Sequence, residues 1–322
     1  MNKSEPAVKI PAKQAEETRL KLLRLGLLDT GRRIVREGDV VYVPVKSVPA
    51  AGFQVVFKDL PRARVRTSPV LKASFDIIGE IAVINDMDLP ADRADVLARN
   101  IVERHRRVRT VLQKVGEVAG EERVASYRVV YGGPSTETVY RESGCVFKLD
   151  VGKVFFSPRL STERLRIASQ VKENEVVLDM FAGVGPFTIV VARKNPSATV
   201  YAVEKNPEAY RYLVENIQLN KLTNRVQPFN GDAAEIVPSI NEKFTRIIMN
   251  LPHQSLNYLP LALGKTSSQA VIHLYVVENR GEREETVGRI RAVSPSLVVR
   301  GERVVKEVSP KAVLKVYDLE AP

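Results

Sequence analysis

Residues 176–192, VVLDMFAGVGPFTIVVA, constrain the fold more than any other stretch of this chain. A short valine-rich run ends at Asp179 and has the composition of a strand that is buried on both faces. Gly183 and Gly185 then indicate a tight turn, after which the apolar residues have helical length and spacing. Glycines at such a junction let the backbone approach a ligand, which the free N–H groups of the helix start face. The pattern predicts a strand, a ligand-binding loop and a helix.

The glycine count of this loop argues against a dinucleotide ligand. The pyrophosphate fingerprint needs three glycines, whereas Ala182 precedes the pair here and Thr188 stands at the third position. A nucleoside ligand without phosphate groups therefore fits better.

Strand and helix patterns alternate from residue 151 to residue 322, which predicts an α/β domain with a doubly wound, mostly parallel, Rossmann-like sheet. The expected strands are 175–180, 199–204, 226–230, 245–250 and 270–277. The expected helices are 186–194, 207–220, 233–239, 255–264 and 281–291. The segments SLVVRGERVVKEV and AVLKVYDL are expected to add two closing strands.

Each of the first four strands is followed by a polar residue at its carboxyl end, where such sheets bind ligands. These residues are Asp179, Glu204, Asp232 and Asn250. Glu204 can accept both hydroxyls of a ribose, and Asp232 can accept an adenine amino group. Taken singly, Glu204 is as well explained as a first-turn helix acid and Asp232 as a helix N-cap. The ordered series predicts a site for S-adenosylmethionine, a nucleoside that carries a sulfonium but no phosphate.

Two smaller α+β regions precede this domain. Residues 1–60 are expected to form a small module with a helix at about 12–27 and a hairpin in RRIVREGDVVYVPV. The polar stretch at 58–69 is the expected linker.

Residues 68–150 are expected to form the second region, which begins with a bent strand in SFDIIGEIAVIN. A long helix in ADRADVLARNIVERHRRVRTVL follows, and strands in TETVYRESGCVFKLDVGKVFFS end the region. The buried stripe expected on that helix comprises Val96, Leu97, Ile101, Val108 and Val111.

The net charge of +11 favours an anionic partner, and nucleic acid is the leading class. Arg104, Arg106 and Arg107 are equally well explained as phosphate contacts and as a solvated surface. The single cysteine indicates a reducing cytoplasm, and no apolar run approaches the roughly 18 residues of a membrane span. One cysteine and three scattered histidines cannot supply a zinc site, so we expect no metal.

The ordered series resembles the class I S-adenosylmethionine-dependent methyltransferases, and NLPH at Asn250 is similar to their Asn-Pro-Pro-aromatic element. A closer resemblance covers nearly the whole chain. Five blocks occur in the order of the archaeal and eukaryotic tRNA (guanine-N1)-methyltransferase family, which acts on position 37. They are GLLDTGRRIVREGDVVYVPV, SFDIIGEIAVI, TETVYRESGCVFKLDVGKVFFSPRLSTER, VVLDMFAGVGPFTI and MNLP. This resemblance implies that the first region checks the outer corner of tRNA and that the second supports the reacting guanosine.

N1 of guanine carries a proton, so methylation there needs a base at N1 and a cation or donor at O6. The resemblance implies that Glu163 is the general base, although its position alone suggests a first-turn helix acid. Arg123 is implied at O6, with Arg128 as its rival, and Asn250 orients the guanine. The resemblance also implies the remaining site residues. Phe155 and Phe181 wall the cofactor or fill the core, Pro252 shapes the guanine pocket, Pro158 sets a loop and Arg159 contacts phosphate.

Three other functions are compatible with this scaffold. One is the wybutosine-pathway transfer of an aminocarboxypropyl group, against which Pro186 in GVGPF argues, and another is methylation of a wyosine precursor. The third is tRNA binding without catalysis. Because one chain can supply every part of the site, we expect a monomer.

Overall fold

The computed structural model describes residues 4–29, 31–49, 52–61, 73–116 and 126–322. The chain divides into two compact units, Met1–Lys72 and Ala73–Pro322. Among the described residues, no helix combines the length and the apolar character needed to cross a membrane.

The first unit contains a four-stranded antiparallel sheet and one helix. Its strands are β1 (Glu5–Pro11), β2 (Val35–Glu37), β3 (Val40–Pro44) and β4 (Val55–Lys58), in the order β2-β3-β1-β4, and its helix is α1 (Ala15–Arg24). The predicted hairpin is confirmed as β2 and β3. Strands β1 and β4 were not predicted from the sequence, and α1 begins three residues later than predicted. Leu22 of α1 and alternate residues of β1 and β3 form a small apolar core.

The second unit begins with a four-stranded sheet and a helix. The strands are β5 (Phe75–Ile78), β6 (Ile81–Ile84), β7 (Thr110–Lys114) and β8 (Tyr127–Tyr131), in sequence order across the sheet, and α2 (Ala91–Arg104) joins β6 to β7. The predicted bent strand is wrong, because β5 and β6 form an antiparallel hairpin. Gly79 makes the turn at φ +59°, and a Cβ atom there would lie 2.4 Å from the carbonyl oxygen of Val139.

The stripe predicted for the long helix is also partly wrong. The helix ends at Arg104, so the buried Val108 and Val111 belong to the following turn and to β7. Val96 is exposed on α2. Leu97 and Ile101 are buried on α2, as predicted.

A separate hairpin of β9 (Glu137–Glu142) and β10 (Cys145–Asp150) packs on a helix of the large domain, α5 (Pro207–Leu219). The Asn216 amide accepts from the N–H of Lys148 at 2.7 Å and donates to its carbonyl at 3.0 Å. Asn220 binds the backbone of Val146 in the same two-way manner, at 2.9 and 2.7 Å. Two asparagines thus pair with β10 as a neighbouring strand would.

The large domain confirms the predicted doubly wound sheet. Its strands are β11 (Val176–Asp179), β12 (Thr199–Glu204), β13 (Val226–Asn230), β14 (Phe244–Met249), β15 (Thr266–Asn279), β16 (Val298–Glu307) and β17 (Ala312–Glu320). Its other helices are α3 (Ser161–Gln170), α4 (Pro186–Lys194), α6 (Ala233–Ser239), α7 (Ser255–Gly264) and α8 (Arg283–Val293). The sheet order is β13-β12-β11-β14-β15-β17-β16, with only β17 antiparallel to its neighbours.

The two faces of this sheet are covered by different helices. Val177 of β11 lies in the core that contains residues of α3, α4 and α5, and Leu178 lies in the core that contains residues of α6, α7 and α8. Successive residues of a strand point to opposite faces, so a doubly covered sheet needs continuous apolar runs. Because β11 to β14 are parallel, their carboxyl ends meet at one edge.

Candidate active site

A cleft of about 370 Å³, here called the main cleft, lies at this edge of the large sheet. Its walls come from the ends of β11, β12, β13 and β14 and from residues 155–157. Six residues predicted to bind the cofactor line it: Phe155, Phe181, Gly183, Glu204, Asp232 and Asn250. Asp179, Gly185 and Pro252 are not among its lining residues.

The two loop glycines have different physical reasons for being glycine. Gly183 has φ +57°, and a Cβ atom there would meet nothing within 4 Å, so its backbone is open to the cleft. Gly185 has φ +88°, and a Cβ atom there would lie 2.6 Å from Cδ1 of Leu213. Gly185 therefore lets the loop pack against α5, and Gly183 presents backbone to a ligand.

Glu204 connects the loop after β11 to the beginning of α5. Its Oε2 accepts the N–H of Gly183 at 2.7 Å, and its Oε1 accepts the N–H of Asn206 at 2.8 Å. The Asn206 side chain in turn caps α5. A carboxylate oxygen has two lone pairs, so each Glu204 oxygen can also accept a hydroxyl from a ligand in the cleft.

Asp232 lines the cleft and is also the N-cap of α6. Its Oδ1 accepts the N–H of Ala234 at 2.8 Å, and Nζ of Lys205 lies 3.0 Å from its Oδ2. The hydrogen bond from Ala234, helped by Lys205, holds the pKa of Asp232 below its ordinary value. Both explanations of Asp232 therefore apply at once, because an ionised cap remains an acceptor toward the cleft.

Asp179 is buried behind the loop. The hydroxyl of Thr188 donates to its Oδ2 at 2.7 Å, whereas its Oδ1 has no hydrogen-bond partner among the described residues. Burial raises the pKa of Asp179 to about 6. The Asp179 carboxylate would therefore be stabilised by a cationic group brought close to it.

Three aromatic rings line the main cleft: Phe155 and Phe181, which were predicted, and Tyr258, which was not. Phe181 meets Tyr258 edge to face, with ring centroids 5.1 Å apart, and both rings line the cleft. Phe155 is 38% exposed and lies outside any strand, so the strand-core explanation for it is wrong. Tyr258 comes from α7, and nothing in the sequence distinguishes it from an ordinary helix residue.

The NLPH element brings its side chains to the cleft from the end of β14. Asn250, Leu251 and His253 line it. Pro252 instead uses its carbonyl to accept the N–H of Val277 at 3.2 Å. The turn is braced by Ser255, whose hydroxyl donates to the carbonyl of Met249 at 2.8 Å.

Glu163 does not line the main cleft, although its neighbour Arg164 does. The Glu163 side chain is 2% exposed, and the Tyr275 hydroxyl donates to its Oε1 at 2.8 Å. Nη2 of Arg166 donates to the same oxygen at 2.8 Å, and Nη1 of Arg303 lies 3.8 Å from Oε2. In this conformation the carboxylate belongs to the interior behind the cleft wall.

Glu163 is one end of a chain of ionisable side chains, all but one of them charged, that we call the charged network. Its members are Glu163, Arg166, Asp318, His273, Arg246 and Glu175. Arg166 donates to Asp318 at 2.7 Å, and Nδ1 of His273 lies 2.6 Å from Asp318. Arg246 lies 2.7 Å from Nε2 of His273 and donates to Glu175 at 2.7 and 2.9 Å.

The protonation of this network follows from burial and from what each group can donate. Burial lowers the pKa of His273, so the ring is neutral. Arginine can only donate, so Nε2 accepts from Arg246 and the Nδ1–H donates to Asp318. Burial alone would raise the pKa of Asp318, but the hydrogen bonds from His273 and Arg166 hold it well below its usual range.

The predicted arginines fall in several places. Arg123 lies outside the described residues. Arg128, its rival, lies on β8, donates to Gln113 at 2.6 Å and does not line the main cleft. Nε of Arg159 donates to Asp76 at 2.6 Å, and Pro158 begins the short 3-10 turn before α3. Arg104, Arg106 and Arg107 are exposed, and their phosphate contacts stay a prediction.

The described residues contain neither a metal site nor a reactive thiol. They contain no group of three or more His, Cys, Asp or Glu residues that could hold a metal ion. Burial raises the pKa of the Cys145 thiol to about 11, which leaves the nucleophilic thiolate unfavourable.

The sequence matches three family profiles in succession. The TRM5/TYW2 methyltransferase domain matches residues 138–299, the tRNA methyltransferase 5 N-terminal domain matches 7–53, and the TYW2 N-terminal domain matches 58–136. A relative from Pyrococcus abyssi, named tRNA (guanine(37)-N(1))-methyltransferase Trm5b, is 40% identical over 95% of this chain and 96% of its own.

A solved structure and a second relative extend this comparison. The crystal structure of Trm5b from Pyrococcus abyssi has a TM-score of 0.71 and 38% identity, and the match covers 98% of this chain and 99% of that one. A tRNA(Phe) (4-demethylwyosine(37)-C(7)) aminocarboxypropyltransferase from Methanocaldococcus jannaschii is 38% identical, over 62% of this chain and 76% of its own. The likeness to Trm5b spans the whole chain, whereas the likeness to the aminocarboxypropyltransferase is confined to part of it.

Proposed function

This chain belongs to the TRM5/TYW2 methyltransferase family, and from that premise we propose that it methylates N1 of guanosine at position 37 of tRNA, with S-adenosylmethionine as methyl donor. The observation that carries the proposal is the convergence of Gly183, Glu204, Asp232 and Asn250 on one cleft. The full-length match to a relative named for this reaction supports the choice of substrate.

The residues of the main cleft suit S-adenosylmethionine, which supplies an electrophilic methyl group on a sulfonium. Glu204 would accept the ribose hydroxyls with the same carboxylate oxygens that accept the N–H groups of Gly183 and Asn206. Asp232 would accept the adenine amino group, and Phe155 and Phe181 would pack on the ligand. The orphaned Oδ1 of the buried Asp179 also favours a cation nearby. No phosphate-binding turn is needed for such a ligand.

The chemistry at guanine needs groups at N1 and at O6. We assign the base at N1 to Glu163 and the stabilising cation at O6 to Arg123, with Asn250 orienting the ring and the Pro252 backbone shaping the pocket. In this role the Glu163 side chain turns away from Tyr275 and Arg166 toward the cleft. The hydrogen bonds from those two residues hold the carboxylate in its present position, so this turn has to break them.

The rest of the chain would bind the tRNA. Residues 1–60 form the part that reads the outer corner, residues 68–150 the part that supports the target, and residues 151–322 the catalytic part. Arg104, Arg106, Arg107 and Arg159 would contact phosphates. A monomer in the cytoplasm completes the proposal, since the cleft draws its lining from one chain and Cys145 is a free thiol.

The test of the base is Glu163→Gln, compared with Tyr275→Phe as a matched control. Single-turnover methyl transfer is measured from pH 5 to 9 on a transcript with guanosine at position 37. We expect Glu163→Gln to slow the reaction by about 10² to 10⁴ without loss of cofactor binding. Tyr275→Phe removes only the hydroxyl that holds Glu163 and is expected to retain the reaction.

Two results would contradict the proposal at different levels. Full activity in Glu163→Gln would refute the base assignment alone. Calorimetry that detects no binding of S-adenosylmethionine to the unmodified protein would refute the proposed methyltransferase activity itself.

A further inference from the structure

A second cavity of about 190 Å³, here called the side cavity, lies against the same segment as the main cleft. Phe155, Phe156 and Ser157 line both cavities, so this short segment forms their common wall. The other walls of the side cavity come from β5, β6, β7, β8 and β16 and from residues 151–159. The side cavity is thus next to the place where the methyl group would be delivered.

One part of the side cavity is apolar. Ile78, Val83, Val151 and Val154 line it, and each is at most 5% exposed. In the common wall, the Phe156 ring meets Tyr140 edge to face at 5.0 Å and lies under the Arg164 guanidinium at 5.3 Å. This part suits a flat, largely apolar group such as a nucleobase.

The other part of the side cavity is basic. Three cationic side chains line it, those of Lys114, Arg159 and Lys306, against one carboxylate, that of Asp76. The Asp76 carboxylate is already engaged, because Arg159 donates to its Oδ1 at 2.6 Å and Asn85 donates to its Oδ2 at 2.9 Å. The positive charge of Lys114 favours an anionic group in this part of the cavity, and a phosphate linkage has that charge.

Tyr127 adds a hydroxyl to the same cavity. Burial, helped by the charge of Asp76, raises the pKa of Tyr127, so the phenol stays protonated at neutral pH. Its hydroxyl has no hydrogen-bond partner among the described residues. A half-buried hydroxyl in that state can donate to a ligand or accept from it.

We propose that the side cavity binds the nucleotide next to the methylated guanosine in the same RNA strand. Its base would lie on the apolar part and bond to the Tyr127 hydroxyl, and its phosphate would lie at Lys114. The proposal rests on the proposed function, since it needs an RNA substrate in the main cleft. Adjacent nucleotides are covalently joined, and two cavities that share one wall can hold both. The side cavity would then fix the register of the strand at the methyl donor.

The test uses Lys114→Gln and Tyr127→Phe, with Lys194→Gln as the matched charge control at the far end of α4 from the cleft. Methyl transfer is measured on an intact transcript and on two transcripts that lack the base 5′ or 3′ of guanosine 37. We expect each side-cavity variant to raise KM about 2- to 10-fold on the intact transcript, with unchanged kcat and cofactor affinity. Lys194→Gln should change none of these quantities.

The abasic transcripts decide whether the base occupies the cavity. On the transcript that lacks the base bound in the side cavity, Tyr127→Phe should raise KM no further than the missing base already does. An equal loss for Tyr127→Phe on all three transcripts would overturn the proposal, as would unchanged KM in both side-cavity variants. If the unmodified protein makes no methylguanosine, the proposed function fails instead, and RNA binding by the same variants still tests the cavity.

Discussion

The main cleft and the charged network both gather buried or half-buried charges in the large domain, but they use them differently. In the cleft, Glu204 accepts the N–H of Gly183 in the neighbouring loop, and Asp232 accepts the N–H of Ala234 in the helix that it caps. Both carboxylates are half-buried and face the cleft. In the network, each of Arg166, His273 and Arg246 joins two acidic or basic partners inside the protein.

This difference separates ligand binding from folding. Carboxylates that face a cavity indicate a binding site, whereas buried ion pairs whose bonds all stay inside the protein belong to the fold. Glu163 is the exception that connects the regions, since it is buried in the network and next to Arg164 of the cleft wall. The comparison therefore predicts that changes in the network alter unfolding and that changes in the cleft alter cofactor affinity.

The largest effect is expected for Arg246→Met. This change leaves the buried Glu175 carboxylate without its bidentate partner, which should lower the free energy of unfolding by about 3–5 kcal/mol. Chemical denaturation measures the loss, and calorimetry at low temperature should find cofactor affinity unchanged. Arg300→Met, which removes an exposed pair with Glu320, is the matched control and should leave unfolding nearly unchanged. Equal losses in the two variants would contradict a stabilising network.

The next effect concerns Asp179 and pH. Burial raises its folded pKa from 3.8 to about 6, so the native state binds the proton more tightly than the unfolded state does. Stability from this group is therefore greatest below pH 4 and is lost as pH rises through about 6, by about 3 kcal/mol in all. Denaturation of the unmodified protein and of Asp179→Asn across this range measures the difference. The free energy of unfolding of the unmodified protein, relative to that of Asp179→Asn, should fall as pH rises. A relative free energy that rises with pH would refute this account of Asp179.

Much of the large domain could be predicted because its signals are local in sequence. The glycine turn and the polar residues at strand ends follow from a few neighbouring residues each, and Gly183, Glu204, Asp232 and Asn250 do meet in the cleft. The charged network could not be predicted, because Arg166 and Asp318 are 152 residues apart and no spacing rule relates them.

Local patterns also failed where tertiary contacts decide the structure. The turn at Gly79 depends on its close approach to Val139 of another hairpin, so the sequence alone suggested one bent strand. The apolar spacing of α2 continued past Arg104, but Val111 is buried by the pairing of β7 rather than by a helix.

A smaller effect is expected for Glu204→Gln in the cleft. The change removes the charge and one acceptor from the bonds to Gly183 and Asn206, so cofactor affinity should fall about 10- to 100-fold. Isothermal calorimetry with S-adenosylmethionine measures this loss. Glu208→Gln, in the first turn of α5 and outside the cleft lining, should bind the cofactor normally. Unchanged affinity in Glu204→Gln would remove Glu204 from the site.

The smallest effect is expected for Arg303→Met. Arg303 approaches Glu163 only at 3.8 Å and is half exposed, so its loss should lower the free energy of unfolding by less than about 1 kcal/mol. Chemical denaturation of Arg303→Met and Arg246→Met under the same conditions compares the two losses of unfolding free energy. A loss as large as that of Arg246→Met would mean that the network extends to the surface at Arg303.

The most direct test of the account is the identity of the modified nucleoside. The protein is incubated with S-adenosylmethionine labelled in the methyl group and a tRNA transcript with guanosine at position 37, and the digested nucleosides are analysed by mass spectrometry. The account predicts 1-methylguanosine from that position and no product when it is replaced by adenosine. An aminocarboxypropyl adduct, or label at another position, would contradict it.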